Sequence, residues 1–528
     1  MLSGFAGRIA GLSGWRRRGV ACAAGALSAL AMAPVSFWPL LALTFPMLVL
    51  LLDGTSRNRA GLVAAFGIGW WFGFGYLVAS LWWIGNALLV QAEVFAWLLP
   101  FAVLALPAGL AIYLGLGCVL ARLVWPPGAL RVLTLAASLT AADWLRGHLF
   151  TGFPWNSFGY AFANDLALAQ AGSLVGLWGM SLLAVAVLAS PVLLLGPPRG
   201  RGWVWPCLAG AVLAGLWGWG NWRLDTTSIG DVPGVRLRIM QPDLPQDEKF
   251  RYDARDRVVE RYIETSESAG GLSGITHLIW PESAFPFFLE HEPEVLARIA
   301  GILPPETVLV TGAARWAPPP VPGGYPKIFN SIRALDHEGA LVATADKVHL
   351  VPFGEYLPFQ SMLESIGLQQ LTRVRGGFAA AERRTLLAIP GLPPVLPLLC
   401  YEAIFPDEVR VADEAGPRPS ALLNLSNDAW FGLTPGPYQH YQQARLRSIE
   451  QGLPMIRGTN DGISAILDPL GRSIAYLGLG QRGVVDGPLP QALAGTFYNR
   501  YGYMIPFFLM LMIFCASLAS ACRHARSG

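Results

Sequence analysis

The near absence of charge over the first 220 residues constrains this chain more than any other feature. Between residues 20 and 222 apolar runs follow one another, broken only by short polar joints. A helix needs about 20 apolar residues to cross about 30 Å of hydrocarbon. Runs of that kind lie near 18–34, 36–52, 60–84, 95–121, 130–147, 170–195, 203–222 and 503–521, which predicts about eight spans. The first two are short and joined through Pro34-Val35-Ser36. Ala31-Met32-Ala33 after a basic start imitates a signal-peptide cleavage site, but the next apolar run follows at once, so a span is expected there. Only 14% of the residues are charged, against about 25% in ordinary soluble proteins. Many of the 19 Trp fall near the ends of apolar runs, where membrane–water interfaces attract amphipathic rings.

Residues 235–492 are different: their composition is that of a soluble domain. The expected organisation is an N-terminal membrane domain over 1–230 with about seven helices, a globular domain over 231–492, and a last membrane helix with its tail over 493–528. The net charge of +3 is too small to suggest nucleic acid. No phosphate-cradling P-loop, Cys-x-x-Cys pair or His-x-x-x-His is present, so neither a metal nor a soluble cofactor is expected.

Charge sets the orientation. With Arg16, Arg17 and Arg18 on the cytoplasmic side, eight spans also place Arg57/Arg59, Arg122/Arg131, Arg199/Arg201 and Arg523/Arg526 inside. The opposite joints at 33–37, 85–94 and 148–169 contain no Lys or Arg. Every joint obeys the positive-inside rule, and the 231–492 domain is then expected outside, which in a bacterium is the periplasm. Of the six cysteines, Cys22, Cys118, Cys207, Cys515 and Cys522 lie in or beside apolar spans, and only Cys400 lies in the globular domain. A lone thiol in an oxidising compartment is either inert in a core or kept for its chemistry.

In that domain Val235–Met240, Thr276–Trp280, Val308–Ala313, Val395–Cys400 and Ala421–Leu425 read as strands. Helical patterns lie at 251–268, 291–302 and 438–452, and hairpin turns at Asp336–Gly339 and Asp468–Gly471. Strands alternating with helices argue an α/β fold. Three segments deliver polar groups where strands end: Trp280-Pro-Glu282-Ser283, the run from Lys347 to Glu355, and Cys400-Tyr401-Glu402. Together they suit thiol catalysis. A thiol with a pKa of about 8.5 needs a base or a positive neighbour; a carboxylate can take its proton, and an ammonium can stabilise an oxyanion. Singly, Glu282 reads equally as a turn carboxylate and Lys347 as a surface cation. Of 38 lysines and arginines only Lys249, Lys327 and Lys347 are lysine, so a lysine hints at a need for a compact, tunable ammonium.

These segments resemble the carbon–nitrogen hydrolase (nitrilase) superfamily in order and approximate spacing. With membrane helices on both sides, the resemblance narrows to the apolipoprotein N-acyltransferase family. Thr151-Gly-Phe-Pro-Trp-Asn156, the run Asn424–Phe431 and the run Arg457–Gly462 also resemble that family. Phe329-Asn-Ser331 stands where an aromatic-Asn-Ser is usual, whereas Phe250 replaces an expected Trp. The resemblance implies a nitrilase-like αββα sandwich, with Glu282 as general base, Lys347 as oxyanion stabiliser and Cys400 as nucleophile. It implies Glu355 as a second carboxylate positioning the lysine, and Tyr401, Glu402 and Trp430 as pocket residues.

The implied reaction is ping-pong. Cys400 takes an acyl chain from a phospholipid of the bilayer, phosphatidylethanolamine being the expected donor, and passes it to the α-amine of a diacylglyceryl-cysteine on a lipoprotein. A monomer is expected, multi-pass in a bacterial inner membrane with both termini cytoplasmic. The aromatic joint 150–162 is expected to line the lipid entrance or to form an interfacial belt, and Asp143 to pair with Arg146. One rival is a membrane-tethered amidase or nitrilase, in which water resolves the thioester. Another is a transporter with a non-catalytic external domain; it would need polar residues facing one another inside the spans, and these spans are mostly bare.

Overall fold

The computed structural model describes residues 2–527 except 196–201, 250, 320–325, 366, 373, 375 and 411–416. The joint carrying Arg199 and Arg201 and the position of Phe250 lie outside the described residues. The chain divides into two compact units. One comprises Met1–Gly85, Trp97–Thr227 and Thr496–Gly528; the other comprises Asn86–Ala96 with Ser228–Gly495.

The first unit is helical. Helices Gly14–Ser28, Leu41–Asp53, Arg59–Leu81, Leu106–Leu123, Leu130–His148, Gly172–Ala189, Val204–Thr226 and Met504–Ser527 fall on the apolar runs read from the sequence. Among the described residues four helical stretches are long and apolar enough to cross a membrane: Arg59–Leu89, Ala92–Leu123, Gly172–Leu195 and Met504–Arg523. Trp38–Asp53 is a shorter apolar helix. The run at 95–121 is not one α-helix: a π-turn at Phe101–Ala105 lies between Pro100 and Pro107, because a proline has no N–H for the i→i−4 ladder.

Small residues let the helices approach closely. A Cβ on Gly25 would meet the Phe72 carbonyl oxygen at 1.9 Å, and one on Gly75 the Cys22 oxygen at 2.1 Å. Helices Gly14–Ser28 and Arg59–Leu81 therefore pack backbone against backbone. Asp143 and Arg146 do pair, at 3.0 Å. Arg146 also donates to the carbonyls of Phe153 at 2.7 Å and Trp155 at 2.8 Å. The pair thus pins the joint that follows its helix. Most of that joint is packed inside the unit: Trp155 lies against Trp83 with ring centroids 4.9 Å apart, and Phe158, Tyr160 and Phe162 are buried. Only Phe150 points fully outward. Trp155 is a packing residue, and the entrance reading loses its main aromatic.

The second unit contains β1 (Asp231–Gln241), β2 (His277–Ile279), β3 (Val308–Ala317), β4 (Lys327–Leu335), β5 (Leu341–Asp346), β6 (Val395–Leu399), β7 (Ala421–Ser426), β8 (Met455–Thr459), β9 (Ser464–Leu467), β10 (Ser473–Leu477) and β11 (Gly483–Pro490). They form two sheets, β11-β1-β2-β3-β4-β5 and β10-β9-β8-β7-β6. Leu237, Ile239, Ile279 and Val310 of the first sheet share one apolar core with Leu399, Leu423, Leu425 and Ile456 of the second. Helices Arg255–Glu267 and Pro293–Ala300 cover the outer side of the first through Val258, Tyr262 and Ile299. Helix Pro435–Gln451 covers the second through Ala444. The result is an αββα sandwich. β1, β2 and β3 run parallel, as do β6, β7 and β8, and parallel strands present their C-terminal ends along one edge of a sheet, where side chains for chemistry are delivered.

Candidate active site

Three chain segments of the second unit carry the candidate groups: Glu282 after β2, the run Lys347–Glu355 after β5, and Cys400 after β6. Glu282 follows β2, beyond Pro281. It fits there because its neighbour on β3 is glycine: a Cβ on Gly312 would lie 2.5 Å from Glu282 Cα and 2.9 Å from both Pro281 O and Ser283 N. These are backbone atoms, with no flexible side chain to move aside. Gly312→Ala is therefore expected to shift Glu282 and lower kcat about 100-fold with KM little changed, as measured by steady-state turnover.

Lys347 follows β5, its backbone N–H donating to Asn330 O at 2.8 Å. Its Nζ lies 3.0 Å from Glu355 Oε1 and 3.3 Å from Glu282 Oε1. Asn330 Nδ2 donates to the same two oxygens, each at 2.8 Å, and Val351 N–H donates to Glu355 Oε2 at 2.8 Å. One ammonium and one amide thus hold two carboxylates side by side. Burial alone would lower the Lys347 pKa; the charges of Glu282 and Glu355 overcome it and raise the net value, so Lys347 stays cationic.

Cys400 comes directly after β6 with φ +49, a conformation that L-residues rarely adopt and that marks strain held by its surroundings. A short turn, Cys400–Ile404, starts there. The thiol is buried, and burial, followed by the charge of Glu282, pushes its pKa up, while Lys347 opposes them. The sulfur therefore keeps its proton at neutral pH and needs a base to react.

Glu402 joins the two halves of the site. Its Oε1 accepts from Val348 N–H at 2.8 Å and His349 N–H at 3.0 Å, in the Lys347 segment. Its Oε2 accepts from Leu399 N–H at 2.7 Å, at the end of β6, and lies 2.8 Å from Arg384 Nη1. Burial would raise its pKa, but Arg384 outweighs that and lowers it. Tyr401 is buried edge-on to Phe405, ring centroids 4.9 Å apart. Trp430 is half-buried in the turn Asp428–Phe431.

Several site residues carried no assigned role in the sequence. Asn330 sits in the aromatic-Asn-Ser run, Arg384 lies in a segment without periodicity, and Lys249 belongs to the small lysine set. Lys249 is fully buried and donates to Glu282 O at 2.9 Å. Burial, only partly offset by Glu282, lowers its pKa to about 7. Between pH 7 and about 10 the unfolded chain binds a proton at this lysine that the folded chain does not, so this contribution to stability grows as pH rises. Lys249→Met abolishes that contribution. In thermal melts the variant's Tm relative to wild type is expected to be highest at pH 7 and to fall by pH 9.

Cys400, Asp428 and His440 place possible ligand atoms within 4.8 Å of one another. The donor set does not fit a cation. His440 Nδ1 is 2.8 Å from Asp428 Oδ1 and its Nε2 is 3.1 Å from Cys400 O. Asp428 Oδ2 is already taken by Arg457 at 2.7 Å.

Both parts of the chain are similar to known proteins. Residues 24–190 match the family model described as apolipoprotein N-acyltransferase N-terminal domain, and residues 240–498 that of carbon-nitrogen hydrolase. Among solved structures, a variant of an amidase from the nitrilase superfamily of Nesterenkonia AN1 is 18% identical, covering 50% of this chain and 94% of its own, at a TM-score of 0.35. Curated relatives include the apolipoprotein N-acyltransferases of Rhodopseudomonas palustris (52% identical, 95% of each chain), Bradyrhizobium diazoefficiens (52%, 93% of this chain and 92% of its own) and Brucella suis (44%, 98% of each). With an apolar helical unit, a carbon–nitrogen hydrolase sandwich and this likeness over nearly its whole length, the chain belongs to the apolipoprotein N-acyltransferase family.

Proposed function

We propose that this protein transfers an acyl chain from a phospholipid to the α-amine of an N-terminal diacylglyceryl-cysteine, through a thioester on Cys400. One arrangement carries the reading: a buried thiol on a strained elbow, tied through the Glu402 carboxylate to the segment that carries Lys347, whose Nζ lies 3.3 Å from Glu282 Oε1. Glu282 takes the thiol proton as sulfur attacks the ester carbonyl. Lys347 stabilises the oxyanion, with Glu355 and Asn330 holding the ammonium and the base in register. The carbon–oxygen ester bond breaks, the proton passes from Glu282 to the departing oxygen, and a lysophospholipid leaves. The acceptor amine then attacks the thioester; its proton returns by Glu282 to the sulfur, and an amide is released. Glu402 and Tyr401 shape the pocket around the elbow, and Trp430 is its third proposed wall. Phosphatidylethanolamine is the proposed donor and a monomer the proposed state.

In this reading eight helices span a bacterial inner membrane, with 1–230 as the N-terminal membrane domain, 231–492 as a periplasmic catalytic domain and 493–528 as the last span and tail. The arginine-rich joints support cytoplasmic termini. The segment Asn86–Ala96, drawn from a joint without Lys or Arg, belongs to the same compact unit as the catalytic residues, with Asn86 Nδ2 donating to Phe431 O at 2.9 Å. That supports placing joint and catalytic domain on one side. A membrane-held enzyme also avoids drawing lipid chains into water, at about 0.8 kcal/mol per exposed CH₂. The reading is tested by incubating purified enzyme with phosphatidylethanolamine and a diacylated lipopeptide and weighing the products. A lipopeptide heavier by one acyl chain is expected; free fatty acid alone would make the protein a hydrolase of the amidase kind.

A further inference from the structure

In two runs with family likeness, Asn424–Phe431 and Arg457–Gly462, Trp430 alone has been given a role above, as a pocket wall. The structure joins them behind the nucleophile. His440, on helix Pro435–Gln451, directs Nε2 at the carbonyl oxygen of Cys400 at 3.1 Å. Its Nδ1 lies 2.8 Å from Asp428 Oδ1. A carbonyl and an ionised carboxylate both only accept, so each of these bonds needs a hydrogen on its ring nitrogen. Asp428 in turn accepts from Ser426 Oγ at 2.6 Å and from Arg457 Nη2 at 2.7 Å. Arg457 also bonds Asn424 Oδ1 and donates to Ile463 O at 3.2 Å. Asn424 Nδ2 donates to Leu398 O at 3.0 Å, on the strand that ends in Cys400. His440, Asp428, Arg457 and Asn424 are all fully buried.

The arrangement answers a physical need. A non-glycine residue at φ +49 persists only where neighbours over-determine it, and the sulfur's direction follows from that backbone. The bonds of Glu402 fix the residue before the elbow and the Lys347 segment. Nothing in the Glu282–Lys347–Glu355 set holds the Cys400 carbonyl itself. His440 does, and its ring is fixed by a carboxylate that is itself held at both oxygens. Asp428 stays ionised: burial would raise its pKa, but His440 and Arg457 outweigh that and lower it to about 2.

We infer that His440 is a positioning residue for the nucleophile, oriented by Asp428 and Arg457, and that it sets the rate of Cys400 acylation without contributing to lipid binding. This rests on the reading that Cys400 carries the acyl group. The test uses full-length enzyme in detergent and three variants. His440→Leu removes the donor, His440→Gln keeps an amide N–H long enough to reach the carbonyl, and His440→Asn keeps one too short. Lysophospholipid release in a single turnover, KM for phospholipid and thermal unfolding are measured for each. His440→Leu is expected to lower the acylation rate at least 30-fold with KM within threefold of wild type. His440→Gln should be at least fivefold faster than both His440→Leu and His440→Asn. If His440→Leu does not fold, the comparison of Gln with Asn decides alone. Equal rates for Gln and Asn, or a folded His440→Leu acylating within threefold of wild type, would overturn the inference. Wild-type enzyme releasing lysophospholipid without an adduct on Cys400 would instead remove the underlying reading.

Discussion

Glu282→Gln is expected to lower the rate of acyl-enzyme formation about 1,000-fold, within the range of a lost general base, while the protein still folds and binds phospholipid. The substitution is nearly isosteric and keeps an oxygen that can accept from Asn330 and Lys347, which now bond Glu282 Oε1. What it removes is the carboxylate proposed to take the proton from the sulfur. Burial and the charge of Glu282 both push the Cys400 pKa up, so no thiolate is waiting at neutral pH. The same variant should alkylate slowly with iodoacetamide. Single-turnover lysophospholipid release measures the first effect and intact mass the second. A Glu282→Gln enzyme acylating within tenfold of wild type would assign the base elsewhere.

Glu402→Ala is expected to abolish turnover for a different reason, loss of structure. Its carboxylate accepts from three backbone N–H groups and pairs with Arg384. Removing one partner of a buried ion pair costs about 3–5 kcal/mol when the other charge is left alone, and less here because Arg384 keeps Glu408 at 3.1 Å. The three N–H groups lose their acceptor as well. The Lys347 segment and the end of β6 then lose their common tie. A markedly lower unfolding temperature is expected alongside inactivity, whereas Glu402→Gln, still accepting through one oxygen, should fall between. An inactive Glu402→Ala with wild-type stability would give this carboxylate a direct chemical role.

Much of this was legible in the sequence because its signals are strong and local. Apolar runs of membrane length have few competing explanations, and Pro281 stops a strand next to the carboxylate it delivers. β6 is short and wholly apolar, and β7 is apolar apart from Asn424 and Ser426, as strands buried on both faces should be. What was not legible depends on contacts between distant segments. β4 and β8 to β11 lack a clean alternation. Helix Pro435–Gln451 was visible, but the direction of His440 follows from how that helix lies across β6 to β8. Lys249 stood in the lysine set that singled out Lys347, yet only its burial against Glu282 O separates it from the exposed Lys327. The joint 150–162 stayed open because an aromatic-rich turn has one composition whether it lines an opening or fills a core; Arg146, by holding the carbonyls of Phe153 and Trp155, folds it inward.

The most direct measurement is the location of the acyl group in a stalled reaction. Wild-type enzyme is mixed with phospholipid in the absence of acceptor, quenched in acid, digested and analysed by mass. The account predicts one acyl chain on the Cys400 peptide, released by hydroxylamine, absent from Cys400→Ala, and chased onto a diacylated lipopeptide faster than water removes it. Transfer to the lipopeptide by enzyme that never carries an acyl group at Cys400 would contradict it.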